Sequence, residues 1–215
     1  MSGYEILSLD ELGPYASENH GDALLIPIRS RLGLRAFGAN AWTAEPGKTI
    51  VPPHEEDSGN EELYVVVRGR ASFTVGDEPL DAPAGTLVHV PPGVHRTAVA
   101  EEPRTIVLAV GGTPGQPFAA HGWDDVVVAF AEARAGRVEQ GRAVMRALAE
   151  RSPEDAWEAP YNLACFEARF GDPELAWDHL RRAFARATEE LREFARNDSD
   201  LASLHDDPRW QELVG

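Results

Sequence analysis

The sequence has very little cysteine, since Cys165 is the only one among 215 residues. An intrachain disulfide is therefore excluded, and so is a CxxC metal or redox site. Cys165 lies between Ala164 and Phe166. No candidate base is evident near it, so we interpret it as a small buried residue rather than a nucleophile.

Positive charge is also scarce: 20 Lys and Arg residues face 36 Asp and Glu residues, which gives a formal net charge of −16. Phosphate binding needs a basic surface, so the composition argues against nucleic acid and anionic membranes as partners. No apolar run reaches the length of a membrane span, and the first ten residues lack the basic and apolar regions of a signal peptide. We therefore expect a soluble, cytoplasmic protein. Phosphate-binding loops and the GxSxG and HExxH motifs are absent from the sequence.

What the sequence does contain changes along the chain. Residues 23–110 hold short apolar runs, such as E-L-Y-V-V-V, A-S-F-T-V and T-L-V-H-V, separated by Gly, Pro and Asp. This pattern is typical of an antiparallel β-barrel or sandwich. Gly69 stands between two such runs, where a hairpin needs a residue that accepts positive φ.

A break rich in Gly and Pro at residues 111–117 ends the β pattern, and Ala, Arg, Glu and Leu then recur at helical spacing from residue 123 onwards. We predict an α+β chain of two domains, an antiparallel β-barrel followed by an all-α domain. The predicted boundaries are 1–19 for an N-terminal leader, 20–117 for the barrel and 118–215 for the helical domain.

The helical part repeats itself at an interval of 35 residues, which relates Gly136 to Gly171 and Gly141 to Ala176. Small residues at such offsets allow antiparallel helices to pack closely. The pattern resembles tetratricopeptide repeats, whose period is about 34 residues. The resemblance implies helix pairs and a surface for a protein partner. Two units and a closing helix are fewer than the three repeats usually needed, so we expect this domain to lean on the barrel.

Candidate ligands lie in the stretch G-K-T-I-V-P-P-H-E-E-D-S-G-N-E-E-L-Y-V-V-V-R-G, residues 47–69. It resembles the first motif of the cupins, in which a glycine and five residues precede His-x-His, a glutamate and a later glycine. Here six residues precede His54, and Glu56 replaces the second histidine. Glu62 stands six residues before Gly69, which fits the glutamate position.

A second stretch, G-T-L-V-H-V-P-P-G-V-H, begins at Gly85 and resembles the second cupin motif. Pro91 and Gly93 match its spacing. Arg96 occupies the position of the motif histidine, and His95 comes one residue early. The resemblance implies a jelly-roll barrel of the cupin type with a ligand pocket.

The two motifs together predict a metal site. Residues two apart in a strand share a face, so His54 and Glu56 can point the same way. Histidines and carboxylates around an open position suit Fe, Mn, Ni or Zn, and such a site would serve an oxygenase or an isomerase acting on a small molecule. No catalytic residue is assigned. The predicted metal ligands are His54, Glu56, Glu62 and His95, and the predicted ligand pocket contains Arg96, Tyr64, Trp42 and His89.

A metal-free alternative stays open at this point. The run H-E-E-D-S-G-N-E-E also suits an acidic loop, and Arg96 could enter the barrel to pair with Glu56 or Glu62, or to bind a carboxylate ligand. The protein would then be a non-catalytic ligand sensor or an interaction scaffold. The cupin resemblance also implies a homodimer, in which the segment 4–12 could cover an open sheet edge.

Overall fold

The computed structural model describes residues 4–17, 20–56, 59–118, 122–153, 156–185 and 188–215. The chain divides into two compact units, residues 1–127 and 128–215. The division falls inside a helix, beyond the boundary predicted at 117. Among the described helices, none is both long enough and apolar enough to cross a membrane.

In its described part, the first unit is built from ten strands in two antiparallel sheets. One sheet has the order β1-β2-β3-β10-β5-β8 and the other has the order β4-β9-β6-β7. The predicted antiparallel β domain is therefore confirmed. The strands are β1 Tyr15–Ala16, β2 Leu24–Ile26, β3 Gly38–Thr43, β4 Thr49–His54, β5 Glu61–Arg68, β6 Arg70–Val75, β7 Glu78–Pro83, β8 Leu87–Val90, β9 Arg96–Ala100 and β10 Ile106–Gly112.

The core of this unit lies between the sheets because the strands alternate apolar residues on their inner faces. On β9 the inward positions are Arg96, Ala98 and Ala100, all buried. Tyr64 and Val66 face inward from β5. This alternation carries Arg96 into the interior between the sheets.

Gly69 joins β5 to β6 and adopts φ +72°. A side chain there would also collide with Thr105, so both the backbone angle and the close approach require glycine. The turn sets the pairing that brings β6 against β9, and it is the hairpin predicted from the sequence.

Within the predicted leader, residues 15–16 form β1 at the edge of the first sheet, and the segment before them packs against that sheet. Helix α1, Leu9–Leu12, begins with a capping box between Ser8 and Glu11. Its two leucines contact a small apolar cluster that contains Ile26 and Ile106. A second short helix, α2, spans Ile28–Leu32 and follows β2.

The second unit is helical, as predicted from the spacing of its apolar residues. Gly136 follows the end of α3 with φ +82°, and Gly171 caps α5, so both repeat glycines stand at helix ends. Gly141 lies where α4 meets the Ala129 carbonyl and the Phe166 ring, with no room for a side chain. The helices are α3 Trp123–Arg134, α4 Val138–Arg151, α5 Glu158–Phe170, α6 Pro173–Phe184, α7 Glu189–Asn197, a 3-10 helix Ser199–Leu204 and α8 Pro208–Leu213.

Candidate functional site

Three potential metal ligands converge where the ends of β4 and β5 face each other across the two sheets. His54 ends β4, Glu56 follows it, and Glu62 lies near the start of β5. The His54 Nε2 atom is 3.4 Å from a Glu62 carboxylate oxygen and 3.9 Å from one of Glu56. Ligand atoms around one metal lie roughly 3 to 3.5 Å apart, because each bond is about 2.1 Å long. The His54–Glu62 distance lies in this range and the His54–Glu56 distance is longer, so a small movement of the Glu56 carboxylate would bring the three donors around one divalent ion.

The imidazole of His54 is fixed in the tautomer that a metal requires. Its Nδ1 atom is 2.7 Å from the Pro52 carbonyl oxygen and donates to it, so Nε2 is the nitrogen that faces the carboxylates. Nε2 carries a lone pair when the ring is neutral and donates to Glu62 when the ring is protonated. The hydrogen bond to Glu62 raises the pKa of His54 above its ordinary value, although burial opposes this. Metal and proton would thus compete for the same nitrogen.

Glu62 is held by its neighbours in the ionised form. Burial alone would raise the pKa of Glu62, but hydrogen bonds from His54 and from the Tyr64 hydroxyl outweigh it and lower that pKa. Burial and the Glu62 charge raise the pKa of Tyr64, so its hydroxyl stays a donor. The hydrogen bonds from Tyr64 and His54 therefore set the charge and the orientation of the Glu62 carboxylate before a ligand binds.

Arg96 supplies a cation beside this group. Its side chain is 0% exposed, and its Nε atom is 3.5 Å from a Glu62 oxygen. None of its three guanidinium nitrogens has a hydrogen-bond partner among the residues that the structure describes. Its positive charge is balanced by the ion pair with Glu62.

A cavity of about 560 Å³ opens in front of the three donors. Its volume is in the range of sites for small organic molecules. Tyr64 and Trp42, two of the predicted pocket residues, lie on its wall. Other side chains that line the cavity include His20, Arg29, Asn40, His54, Glu55, Glu56, Glu62, Trp123 and Asp124.

Two of the predicted site histidines lie elsewhere. His95 is exposed in the turn before β9, because the strand begins at Arg96 and directs that residue inward. His89 points outward from β8, between the inward Val88 and Val90, and its Nε2 atom lies 3.3 Å from Glu61. The structure therefore groups His54, Glu56 and Glu62 without either of these histidines.

Sequence reasoning missed several residues of the cavity wall. Trp123 and His20 come from segments outside the two motifs. Arg29 and Asp124 also line the wall, as an ion pair between residues 95 apart in the chain. No local spacing relates such positions, so only the folded chain brings them together.

Comparison with known proteins identifies a family and a relative with similar sequences. The cupin domain family matches residues 40–111. An uncharacterised protein of Streptomyces coelicolor is 33% identical over 102 residues, which are 46% of this chain and 90% of that protein.

Solved structures with a similar fold include KdgF from Halomonas, at 18% identity and a TM-score of 0.41, covering 47% of this chain and 86% of that one. A cupin protein from Bacteroides fragilis is similar at 18% identity and a TM-score of 0.38, covering 56% and 92%. A sugar phosphate isomerase of a cupin superfamily from Silicibacter pomeroyi is similar at 20% identity and a TM-score of 0.43, covering 51% and 77%.

Proposed function

This chain belongs to the cupin family, and we propose that its barrel binds a small molecule at a divalent metal held by His54, Glu56 and Glu62. One observation carries the proposal: the three donors converge on a cavity, with the His54 Nε2 atom turned toward both carboxylates. Because two of the three ligands are carboxylates, the set favours manganese, iron or zinc over copper.

The protein's own residues prepare this site in a definite way. Pro52 orients the imidazole, and Tyr64 and Arg96 hold Glu62 as a carboxylate. A metal with open positions would act as a Lewis acid or, for iron and manganese, as a redox centre. This chemistry suits an oxygenase or an isomerase, and the cavity would orient the substrate and limit its contact with water.

A metal-free ligand sensor is the second candidate, and Arg96 is the observation that favours it. A buried guanidinium 3.5 Å from Glu62 can balance that carboxylate without a metal. A protonated His54 would then lie between Glu56 and Glu62, and the hydrogen bond to Glu62, which raises the pKa of His54, favours that form. In that case the cavity would bind its ligand through hydrogen bonds and charge, with no catalysis.

We further propose that the helical unit is a tetratricopeptide-like module that binds a protein partner. Two observations support the resemblance to these repeats: α4 lies close to the Ala129 carbonyl and the Phe166 ring at Gly141, and Ala176, which matches Gly141 in the repeat, is buried in α6. A homodimer formed through the barrel also remains a proposal. Light scattering that gives a monomer mass over a wide concentration range would reject the dimer.

Metal analysis tests the main proposal. The full chain, purified without a histidine tag, is reconstituted with Fe(II), Mn(II), Ni(II) or Zn(II) and measured by elemental analysis. We expect about one equivalent of at least one metal, near-complete loss in His54→Ala, and no change in His89→Ala. His89 is a matched control, since it is also a histidine beside a glutamate but is exposed. Occupancy far below one equivalent with all four metals would favour the sensor.

A further inference from the structure

The wall of the cavity contains a cluster of aromatic rings. The indoles of Trp42 and Trp123 lie nearly parallel, at 4°, with centroids 5.9 Å apart. The imidazole of His20 packs against both, with ring centroids 5.1 and 5.4 Å away. Trp42 is 7% exposed, whereas Trp123 is 42% exposed and lines the cavity. A large aromatic surface therefore borders the ligand space.

A buried polar network fixes the part of α3 that carries Trp123. The Arg29 guanidinium donates to Asp124 at 2.8 Å and 2.5 Å and also contacts Asp125. Ser30 donates to Asp125 at 2.6 Å, and Asn40 donates to Asp124 at 3.2 Å.

Arg29, Asp124 and Asp125 are each less than 10% exposed. Buried ion pairs contribute little net stability, because desolvation offsets their attraction. The main effect of this network is therefore to fix the positions of the chain segments that it joins, and its contribution to stability is small. What it fixes is the start of α3, with the half-exposed indole of Trp123 directly before the two aspartates.

The charges of the cavity narrow the class of ligand. Asp124 and Asp125 share the single positive charge of Arg29, and Glu56 and Glu62 would be bound to the metal. The negative charge that is left lies within the buried Arg29 network and on the exposed Glu55, which solvent screens. Stacking of a flat ring is therefore the main interaction that the indoles offer.

From this arrangement we infer that the ligand has two parts, a planar unsaturated ring that stacks on the Trp42–Trp123 wall and an oxygen group that reaches the metal. The inference rests on the proposed metal function. Offset aromatic stacking contributes about 0.5 to 1.5 kcal/mol beyond buried area, so a flat ring should bind roughly twofold to tenfold more tightly than its saturated counterpart.

The test compares benzoate with cyclohexanecarboxylate, which carry the same carboxylate on a flat and on a saturated ring. Affinities are measured by calorimetry on the full chain loaded with Zn(II), and tetramethylammonium serves as a cationic probe. We expect benzoate to bind more tightly than cyclohexanecarboxylate by the factor given above. Trp123→Leu should abolish this preference, Trp123→Phe should keep most of it, and Trp157→Leu, in the helical unit, should leave it unchanged.

Zinc content measured on the same samples distinguishes failure of the ring inference from failure of the metal proposal. One equivalent of zinc with equal affinity for both carboxylates would overturn the ring inference and leave the metal proposal standing. A preference that persists in Trp123→Leu, tighter binding of tetramethylammonium, or no measurable binding of either carboxylate would also overturn the inference. Absence of zinc would instead count against the proposed function itself.

Discussion

Each compact unit contains, among its described residues, a group of three potential metal ligands whose donor atoms lie within 4.8 Å of one another. In the barrel the group is His54, Glu56 and Glu62. In the helical unit it is Cys165, Asp198 and Asp200. Proximity alone does not distinguish the two groups, so the difference must lie in what each donor already binds.

The donors of the helical group are committed to the fold. Asp198 caps the 3-10 helix by accepting from the Asp200 backbone N–H at 2.9 Å, and its other oxygen accepts from the Tyr161 hydroxyl at 2.8 Å. Asp200 forms an ion pair with Arg169 at 2.7 Å. Burial raises the pKa of the Cys165 thiol, which disfavours the thiolate that a metal needs.

The donors of the barrel group also form hydrogen bonds, as Glu62 does with Tyr64 and Glu56 with Asn60, but they border a cavity. Pro52 accepts from the imidazole nitrogen that faces away from the carboxylates. The His54 Nε2 atom and both carboxylates border the cavity. A candidate site is therefore recognised by donors that border a cavity large enough for a ligand, and not by the number of donors that meet.

Removal of one carboxylate from each group should give the largest effects, and the effects should differ between the two groups. Glu62→Gln should weaken metal binding by roughly a hundredfold or more, because it removes a charged ligand from the cavity side. It should also lower the free energy of unfolding, because the buried Arg96 guanidinium loses the carboxylate with which it forms an ion pair. Asp198→Ala should leave metal binding unchanged and lower the free energy of unfolding by about 2 kcal/mol, since it removes a helix cap and strands a buried hydroxyl. Metal titration and denaturant unfolding of both variants check this. Loss of metal in Asp198→Ala would contradict it.

Arg96→His should strengthen the barrel site by about tenfold, the next largest effect. The Nε atoms of arginine and histidine both lie three bonds beyond Cβ, so a histidine here would place a donor close to where Arg96 Nε now stands, 3.5 Å from Glu62. The change also removes a cation that opposes the metal. Arg96→Gln is the matched control, because it removes the charge without adding an imidazole. Equal affinities for the two variants would show that charge alone matters.

The antiparallel β domain and the helical domain could be predicted from the sequence because their signals lie in short, local stretches of it. Glycines at turns and alternating apolar runs are local signals, and they predicted most of the strands. His54 and Glu62 were proposed as ligands because residues 47–69 resemble the first cupin motif. β4 and β7 were not among the predicted runs, because both contain two prolines and β7 is mostly polar and exposed.

Other features of the site depend on register or on long-range contacts. Which of His95 and Arg96 faces the interior depends on where β9 begins, and a shift of one residue reverses the answer. The aromatic wall joins residues from α3, β3 and the segment before β2. Packing of segments so far apart in the chain leaves no pattern in any short stretch of it.

The smallest expected effect concerns a buried carboxylate of the helical unit that, unlike Glu62, is fully paired. Glu167 is 1% exposed and accepts two hydrogen bonds from Arg142, at 2.6 and 2.9 Å, and one from the Asp172 backbone N–H at 3.1 Å. Burial would raise the pKa of Glu167, but the Arg142 hydrogen bonds outweigh it and hold that pKa below its ordinary value of 4.5.

A carboxylate with a lowered pKa stabilises the folded state while it is ionised in both states, which is the case well above pH 4.5. This stability should therefore decline as the pH falls from about 4.5 through the lower pKa of the folded protein, by roughly 1.4 kcal/mol for each unit of pKa difference. Thermal unfolding of the full chain between pH 6 and 3 measures it. Glu167→Gln should reduce the decline, whereas Glu139→Gln should not, because Glu139 contacts the same arginine from an exposed position. The same decline in wild type and Glu167→Gln would mean that other carboxylates cause the acid sensitivity.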